Sequence, residues 1–367
     1  MVQHKRQGLP SAPGRRTFLA TLGAGAAATL LPRLAVAQHA QHDPLLSHLR
    51  HGGPVAMPPE AETQRFLYSP APPAADPGHW VQRAPLPLPR SEMAWATAMQ
   101  GRMHVVGGYG LQRVDRPYHH YYDAAADAWR DAAPLPRGAN HVGVAADGDR
   151  IYACGGFIEQ NRAPFSACFV YAAAENAWRE IAPLPGPRGA ISLVVLDGRI
   201  HAIGGRDVRS VDAHDVYDPA ADRWSRRAPI PGPRDHAGGV VVDGRIHVIG
   251  GRMDTFHFNT GLHLAYDAAG DRWEERAPMP TPRSGHGAVL YRGRVFCMGG
   301  EGTRRVFGQN EGYDPKADSW AAYAPMPTPR HGLGAALAGD MIHVAGGGPV
   351  MGGMIQTAYH EAFHLAG

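Results

Sequence analysis

The chain lacks most of the local motifs that advertise a reaction. It has no glycine-rich loop suited to cradling a phosphate, no Cys-x-x-Cys pair and no Gly-x-Ser-x-Gly elbow, so nucleotide-driven chemistry and nucleophile-elbow hydrolysis have no sequence support. Charge of one sign is also scarce. The formal net charge is +3, and Lys5, Arg6, Arg15, Arg16 and Arg33 all precede the first acid, Asp43. The chain beyond them is slightly acidic, which leaves nucleic-acid binding without an electrostatic basis. One apolar run, Phe18 to Leu31, is too short and too rich in Gly and Ala to span a bilayer. No membrane span is expected once it is removed.

Arg15-Arg16-Thr17-Phe18-Leu19 opens that run, and Ala35-Val36-Ala37 closes it with a small-x-small cleavage pattern. Together they read as an export signal over residues 1–37, similar to the twin-arginine (Tat) type that hands folded proteins to its translocase. A periplasmic or secreted location is the expectation. Residues 38–78, rich in Pro, Ala and His, read as an extended or disordered leader. His39, His42, His48 and His51 in that leader are read as incidental imidazoles on a solvated tail.

What is abundant is repetition. Glycine pairs recur at 107-108, 155-156, 204-205, 250-251, 299-300 and 346-347, and Tyr and Trp stand seven apart at Tyr122/Trp129, Tyr171/Trp178, Tyr217/Trp224, Tyr266/Trp273 and Tyr313/Trp320. A period near 50 residues signals a propeller or a similar array. Each unit holds four short strands, a to d, and pairs such as Asp197-Gly198 and Asp243-Gly244 suit tight hairpins between a and b. The sixth unit ends at Gly367 without its Trp, while Trp80 has no first three strands before it. The N-terminal strand is therefore expected to complete the last blade and close the ring.

On the glycine pairs and the Tyr-to-Trp spacing, residues 79–367 resemble the Kelch-repeat β-propeller family. The resemblance implies an all-β fold of six blades, each a four-stranded antiparallel sheet. Known members include peptide-binding adaptors, a sialic-acid mutarotase and a copper-radical sugar oxidase, so the family does not select one function.

Repetition also separates scaffold from site. His104, His201, His247 and His343 share a slot that Tyr152 and Phe296 fill in the other units, so they are read as packing residues. Cys154 and Cys297 occupy slots of small apolar residues, and Cys168 could reach Cys154 to form a disulfide. The d-to-a and b-to-c connections open on one face and vary between units, which places the expected site at that channel mouth. Arg90, Arg137, Arg188, Arg234, Arg283 and Arg330 precede the innermost strands. Their first explanation is structural, donation to backbone carbonyls, yet six cations would also favour an anion.

The unit-specific departures near the mouth are Glu92, Trp95, Asn140, Asp235, His236, His286 and His331, with loop residues Glu159, Asp207, Arg209, Asp254, His257, Glu301, Arg304 and Arg305. Glu301, Arg304 and Arg305 are expected to form a surface salt-bridge cluster. The leading expectation is binding of an anionic glycan or an acidic protein segment through the six arginines with Asn140, Asp235 and Arg304. The alternative implied by the resemblance is sugar mutarotation or epimerisation, with Glu301, His236 and Glu159 as candidate acid–base groups. A copper-radical oxidase is the third reading, with Cys168 beside Tyr109, Tyr118 or Tyr121. No metal ligands and no cofactor are expected.

Overall fold

The computed structural model describes residues 68–366. The signal at 1–37 and the leader up to residue 67 lie outside the described residues. Six four-stranded antiparallel sheets follow one another. Blade 1 comprises Ala94–Met99 (a), Arg102–Val106 (b), His119–Asp123 (c) and Ala128–Ala132 (d). Blades 2 to 5 repeat it over residues 143–181, 192–226, 238–276 and 287–323. In blade 6, Gly334–Ala338, Met341–Ala345 and His360–His364 are joined by His79–Gln82 as strand d, in the register His79 to His364 and Gln82 to Glu361. The ring closes as the sequence implies. No helix among the described residues is long and apolar enough to cross a membrane.

The Tyr-to-Trp spacing has a mechanical origin. Each Trp indole donates to the carbonyl of an alanine in the preceding blade, at 2.7 to 3.0 Å: Trp129 to Ala84, Trp178 to Ala133, Trp224 to Ala182, Trp273 to Ala228, Trp320 to Ala277 and Trp80 to Ala324. In five blades the amide of the same alanine donates to a carboxylate or amide oxygen, on Asp127, Asn176, Asp222, Asp271 or Asp318. That oxygen also accepts from the blade's own tyrosine hydroxyl. Tyr, the acidic or amide residue five positions on, and Trp thus form one inter-blade clamp. The glycine pairs are equally constrained. Gly204 and Gly205 have φ of 61° and 99°, and a Cβ on Gly204 would stand 2.5 Å from the Arg234 carbonyl oxygen, so only glycine fits.

The arginines before the innermost strands are buried anchors. Arg188, Arg283 and Arg330 donate to carbonyls at the end of their own strand b (Gly204, Cys297 and Gly346). They also pair with carboxylates on strand c, at 2.8 Å to Asp215, 2.7 Å to Glu311 and 2.6 Å to Glu361. Arg90 bonds the Gly107 and Tyr118 carbonyls and His120 Nδ1. Strand c of Arg234's blade places Leu264 where those three blades place an acid, and burial lowers the Arg234 pKa to about 10. Arg137 is exposed and lies over Phe165; Ala139 takes the repeat position, since Gly108 bonds its carbonyl as Gly205 bonds that of Arg234. The expected mouthful of six cations is replaced by five guanidinium groups turned into the sheets.

The histidine slots are likewise structural, and doubly so. His104, His201, His247 and His343 each contact a second buried histidine on strand c, His119, His214, His263 and His360, at 2.8 to 2.9 Å. The second ring's Nδ1 faces a clamp alanine carbonyl in each case. Nδ1 of the second ring must therefore donate, its Nε2 accept, and the first ring's Nδ1 donate, which makes both rings neutral. Burial pushes all eight down to about 3 or 4. Residues 68–78 are ordered against blade 5: Pro73 bridges Ala322, and the Ser69 hydroxyl donates to Glu311. Cys154 and Cys168 are direct cross-strand partners, and both are free thiols.

Two predictions follow from these anchors. Because the folded histidines lie below their unfolded value near 6.5, the unfolded chain binds more protons, so stability is full above pH 6.5 and declines as pH falls toward 4. The urea midpoint should drop over that interval, and His247→Phe/His263→Asn, the pairing used in blade 5, should flatten the drop; an unchanged slope in that variant counts against the assignment. Arg283→Leu strands Glu311 and should cost about 3–5 kcal/mol, whereas Arg137→Ala should stay within about 0.5 kcal/mol of wild type, both read by denaturant unfolding.

Candidate functional site at the channel mouth

Where each blade's innermost strand begins, one residue from every blade turns into the left-handed region and faces the axis. These are Glu92 (φ 48°), His141 (51°), Ala190 (55°), His236 (56°), Gly285 (63°) and Gly332 (55°). Their backbones hold hands: the amides of His141, Ala190, His236, Gly285 and Gly332 donate in turn to the carbonyls of Glu92, His141, Ala190, His236 and Gly285, at 2.8 to 3.1 Å. Left-handed backbone favours glycine, and a bulky residue there costs about 1–3 kcal/mol. Blades 5 and 6 use glycine; blades 1, 2 and 4 hold Glu, His and His against that cost.

The residue before each of these bridges the residue after a glycine pair: Ser91 with Tyr109, Asn140 with Phe157, Gly189 with Arg206, Asp235 with Arg252, Ser284 with Glu301 and His331 with Gly348. The two rings bring eight polar side chains together. His331 Nε2 stands 2.8 Å from Glu92 and 3.4 Å from Glu301, while its Nδ1 faces the Gly348 carbonyl. Arg252 joins Glu301 at 2.6 Å and Asp235 at 3.0 Å. His236 Nδ1 contacts Asp235, and its Nε2 lies 3.2 Å from Arg252. His141 contacts Asn140 through Nδ1 and reaches Glu92 Oε2 at 2.9 Å through Nε2.

Burial would lower the pKa of His331, but Glu301 and Glu92 overcome it and raise it to about 9. Burial would raise the Glu92 carboxyl, yet the charges of His331 and His141 hold it well below the usual range. Glu301 is lowered too, its own burial penalty outweighed by His331 and Arg252. His236 goes the other way, to about 4, because burial and then Arg252 outweigh Asp235. The cluster therefore sets three carboxylates against two cations. Strongly perturbed groups gathered in a cleft mark a candidate functional site.

Above the cluster lies a cleft of about 350 Å³ to which every b-to-c connection contributes, including Tyr109, Arg113, Asn161, Arg206, Phe256 and His257. Arg206 stacks over Phe157, and Arg113 over Tyr109, whose hydroxyl it also contacts. Neither guanidinium has a carboxylate partner among the described residues, and both Nε atoms are unbonded. Below the cluster, a bulge between Ala94 and Thr97 throws Trp95 across the channel to the Ile191 carbonyl, with its edge against His236. Bulges re-aim side chains in this way. The channel beyond is lined by small and apolar residues such as Ala96, Val144, Val194 and Ala335.

Of the expected site residues, Asn140, Asp235, His236 and Glu301 converge here. Glu159 and Arg304 are exposed loop residues with positive φ and do not line the cleft. The expected surface cluster of Glu301 with Arg304 and Arg305 does not form around Glu301, which is buried against Arg252. His141 and Arg252 were not expected. Asn140-His141 is the blade-2 counterpart of Asp235-His236, hidden by the two residues that separate Arg137 from the repeat position. Among the described residues, Glu92, His141 and His236 could hold a metal, each offering one ligand atom within 4.8 Å of the others. His360-Glu361-Ala362-Phe363-His364 spells HExxH but lies on a strand, where four residues span about 13 Å. Its two histidines are too far apart for one zinc, and His360 and Glu361 already serve His343 and Arg330.

Residues 139–185 and 282–327 match the Kelch motif. A Kelch repeat-containing protein of Arabidopsis thaliana is 31% identical over 98 residues, 24% of this chain and 23% of its own; the match thus spans under a quarter of that relative. The solved structure of YjhT superposes with a TM-score of 0.65 over 76% of this chain and 95% of that one, at 14% identity, a likeness of fold. Six clamped blades, two motif matches and the Arabidopsis relative support a Kelch-repeat family for this chain.

Proposed function

We propose that the protein is an exported propeller that binds a small carboxylate-bearing sugar in the cleft over the axial cluster. The observation that carries this reading is the pair Arg113 and Arg206. Both line the cleft, both are stacked on aromatic rings, and neither is neutralised by an acid among the described residues. A stacked guanidinium keeps its donors free for a carboxylate. The cleft volume suits a monosaccharide better than a protein loop, and Asn161, Tyr109 and His257 supply hydroxyl partners. Export rests on the signal pattern at Arg15 to Ala37.

A second reading, anomer exchange of that sugar, is favoured by Glu92 and His331 at 2.8 Å. Ring opening needs one group to take the anomeric proton and another to protonate the ring oxygen, and Glu92 lines the cleft.

Titration calorimetry with N-acetylneuraminate and with neutral N-acetylglucosamine tests the binding reading. The acid should bind and the neutral sugar should not, with Arg206→Ala weakening the acid at least about tenfold, the loss of one charged hydrogen-bonding group. Equal affinity for both sugars, or no effect of the substitution, would falsify it. Anomer exchange by NMR then decides between binding and turnover.

A further inference from the structure

We propose that Glu92, His141 and His236 form a three-ligand site for a divalent first-row transition metal ion at the floor of the cleft. All three occupy the same repeat position, in blades 1, 2 and 4. This position is where the propeller aims side chains at its axis, and it is where the sequence accepts left-handed backbone on bulky residues rather than glycine.

The hydrogen-bond polarity favours a cation. Asn140 Nδ2 donates to Asp115 and to the Phe157 carbonyl, at 2.7 and 3.1 Å, so its oxygen faces His141 Nδ1. That nitrogen must carry a proton, and Nε2 is aimed at Glu92 Oε2. The Glu92 oxygen is buried and has no other hydrogen-bond donor. The 2.9 Å approach of Nε2 to Oε2 needs a positive charge between the two atoms, supplied by a proton on the resting imidazole or by a metal ion that displaces it. His236 repeats the arrangement in part: Asp235 holds Nδ1, so Nε2 carries the lone pair, which faces an Arg252 Nη at 3.2 Å and passes to the ion when that guanidinium keeps only its Glu301 and Asp235 contacts; the two rings lie 4.8 Å apart, edge to face.

Ligating histidines characteristically have the far ring nitrogen held by an oxygen in this way. Here Asn140 and Asp235, at equivalent positions, hold both rings. Glu92 Oε1 stays with His331, leaving Oε2 for the ion. A set of two imidazoles and one carboxylate suits zinc, iron(II), cobalt or manganese rather than calcium. Three protein ligands leave coordination positions open, and Glu92 and His141 line the cleft. Trp95 seals the opposite side against His236.

Co²⁺ is the probe, because its visible bands report coordination. The full chain, treated with chelator and dialysed, should take up one Co²⁺ with absorption in the visible. Replacement of His39, His42, His48 and His51 by Ala should leave this unchanged, since the leader histidines are not the ligands. His141→Ala and His236→Ala should abolish the bands, and Asn140→Ala should weaken binding about 10–100-fold through loss of the holding contact. A variant-free readout is proton NMR of the Co²⁺-loaded chain lacking the leader histidines. Two exchangeable, strongly shifted N–H signals are expected, one from each held Nδ1. A wild-type chain that takes up no Co²⁺, bands that survive both histidine substitutions, or the absence of those two signals would overturn the assignment. The site does not rest on the sugar reading, since Co²⁺ uptake and sugar binding are measured separately and either can fail alone.

Discussion

Everything at the channel mouth depends on the clamp by which each blade grips its predecessor. One alanine between blades offers its carbonyl to the next indole and its amide to the next Asp or Asn, so the angle between sheets is set at two points. The six angles must sum to a full turn, and any error would accumulate at the axis. The backbone ring that joins Glu92 to Gly332 through successive hydrogen bonds is the place where that sum is enforced. Side chains on it are positioned by the whole ring and not by a loop of their own.

The same economy explains the composition of the interior. The core is assembled from apolar clusters between adjacent blades, such as those around Val144, Ile151 and Phe169 or Val194, Ile246 and Leu264. Arginine–carboxylate pairs and neutral histidine pairs are threaded between those clusters. Where one member changes, the other changes with it: Ala139 faces a blade whose strand c carries Phe169, and Tyr152 and Cys168 occupy the two slots that four of the other blades fill with histidines. These arginine and histidine sets pair buried polar groups with one another because isolated ones would be costly.

The architecture was legible because its causes repeat. Glycine pairs, Tyr-to-Trp spacing and the stray Trp80 each report a contact made five or six times, and one sequence contains enough copies to expose the rule. The site was legible only in part, since its residues are the exceptions. Asp235 and His236 stand out against their repeat positions, Glu301 is conspicuous only as a charged loop residue, and the three do meet. His141 was masked by a two-residue insertion that shifts blade 2 out of alignment, and the same shift made Arg137 look like an anchor. Arg252 was invisible because the position after the glycine pair holds Tyr, Phe, Arg, Arg, Glu and Gly, which shows no rule to depart from. The arginines were ambiguous for a different reason: sequence places a cation near the axis but cannot say which way its long side chain lies.

Closure by the first strand has a temporal side. His79–Gln82 is made before the strands of the six blades that follow it, and its partner His360–His364 is the last strand among the described residues. For the time it takes to make the intervening residues, the strand carrying Trp80 has no sheet to join, and the ring remains an open arc whose terminal blade is one strand short. Contacts so distant in sequence form late and slowly. Blade 6 therefore gains its fourth strand, and the Trp80 indole its carbonyl on Ala324, only after the strand that closes the ring has been made.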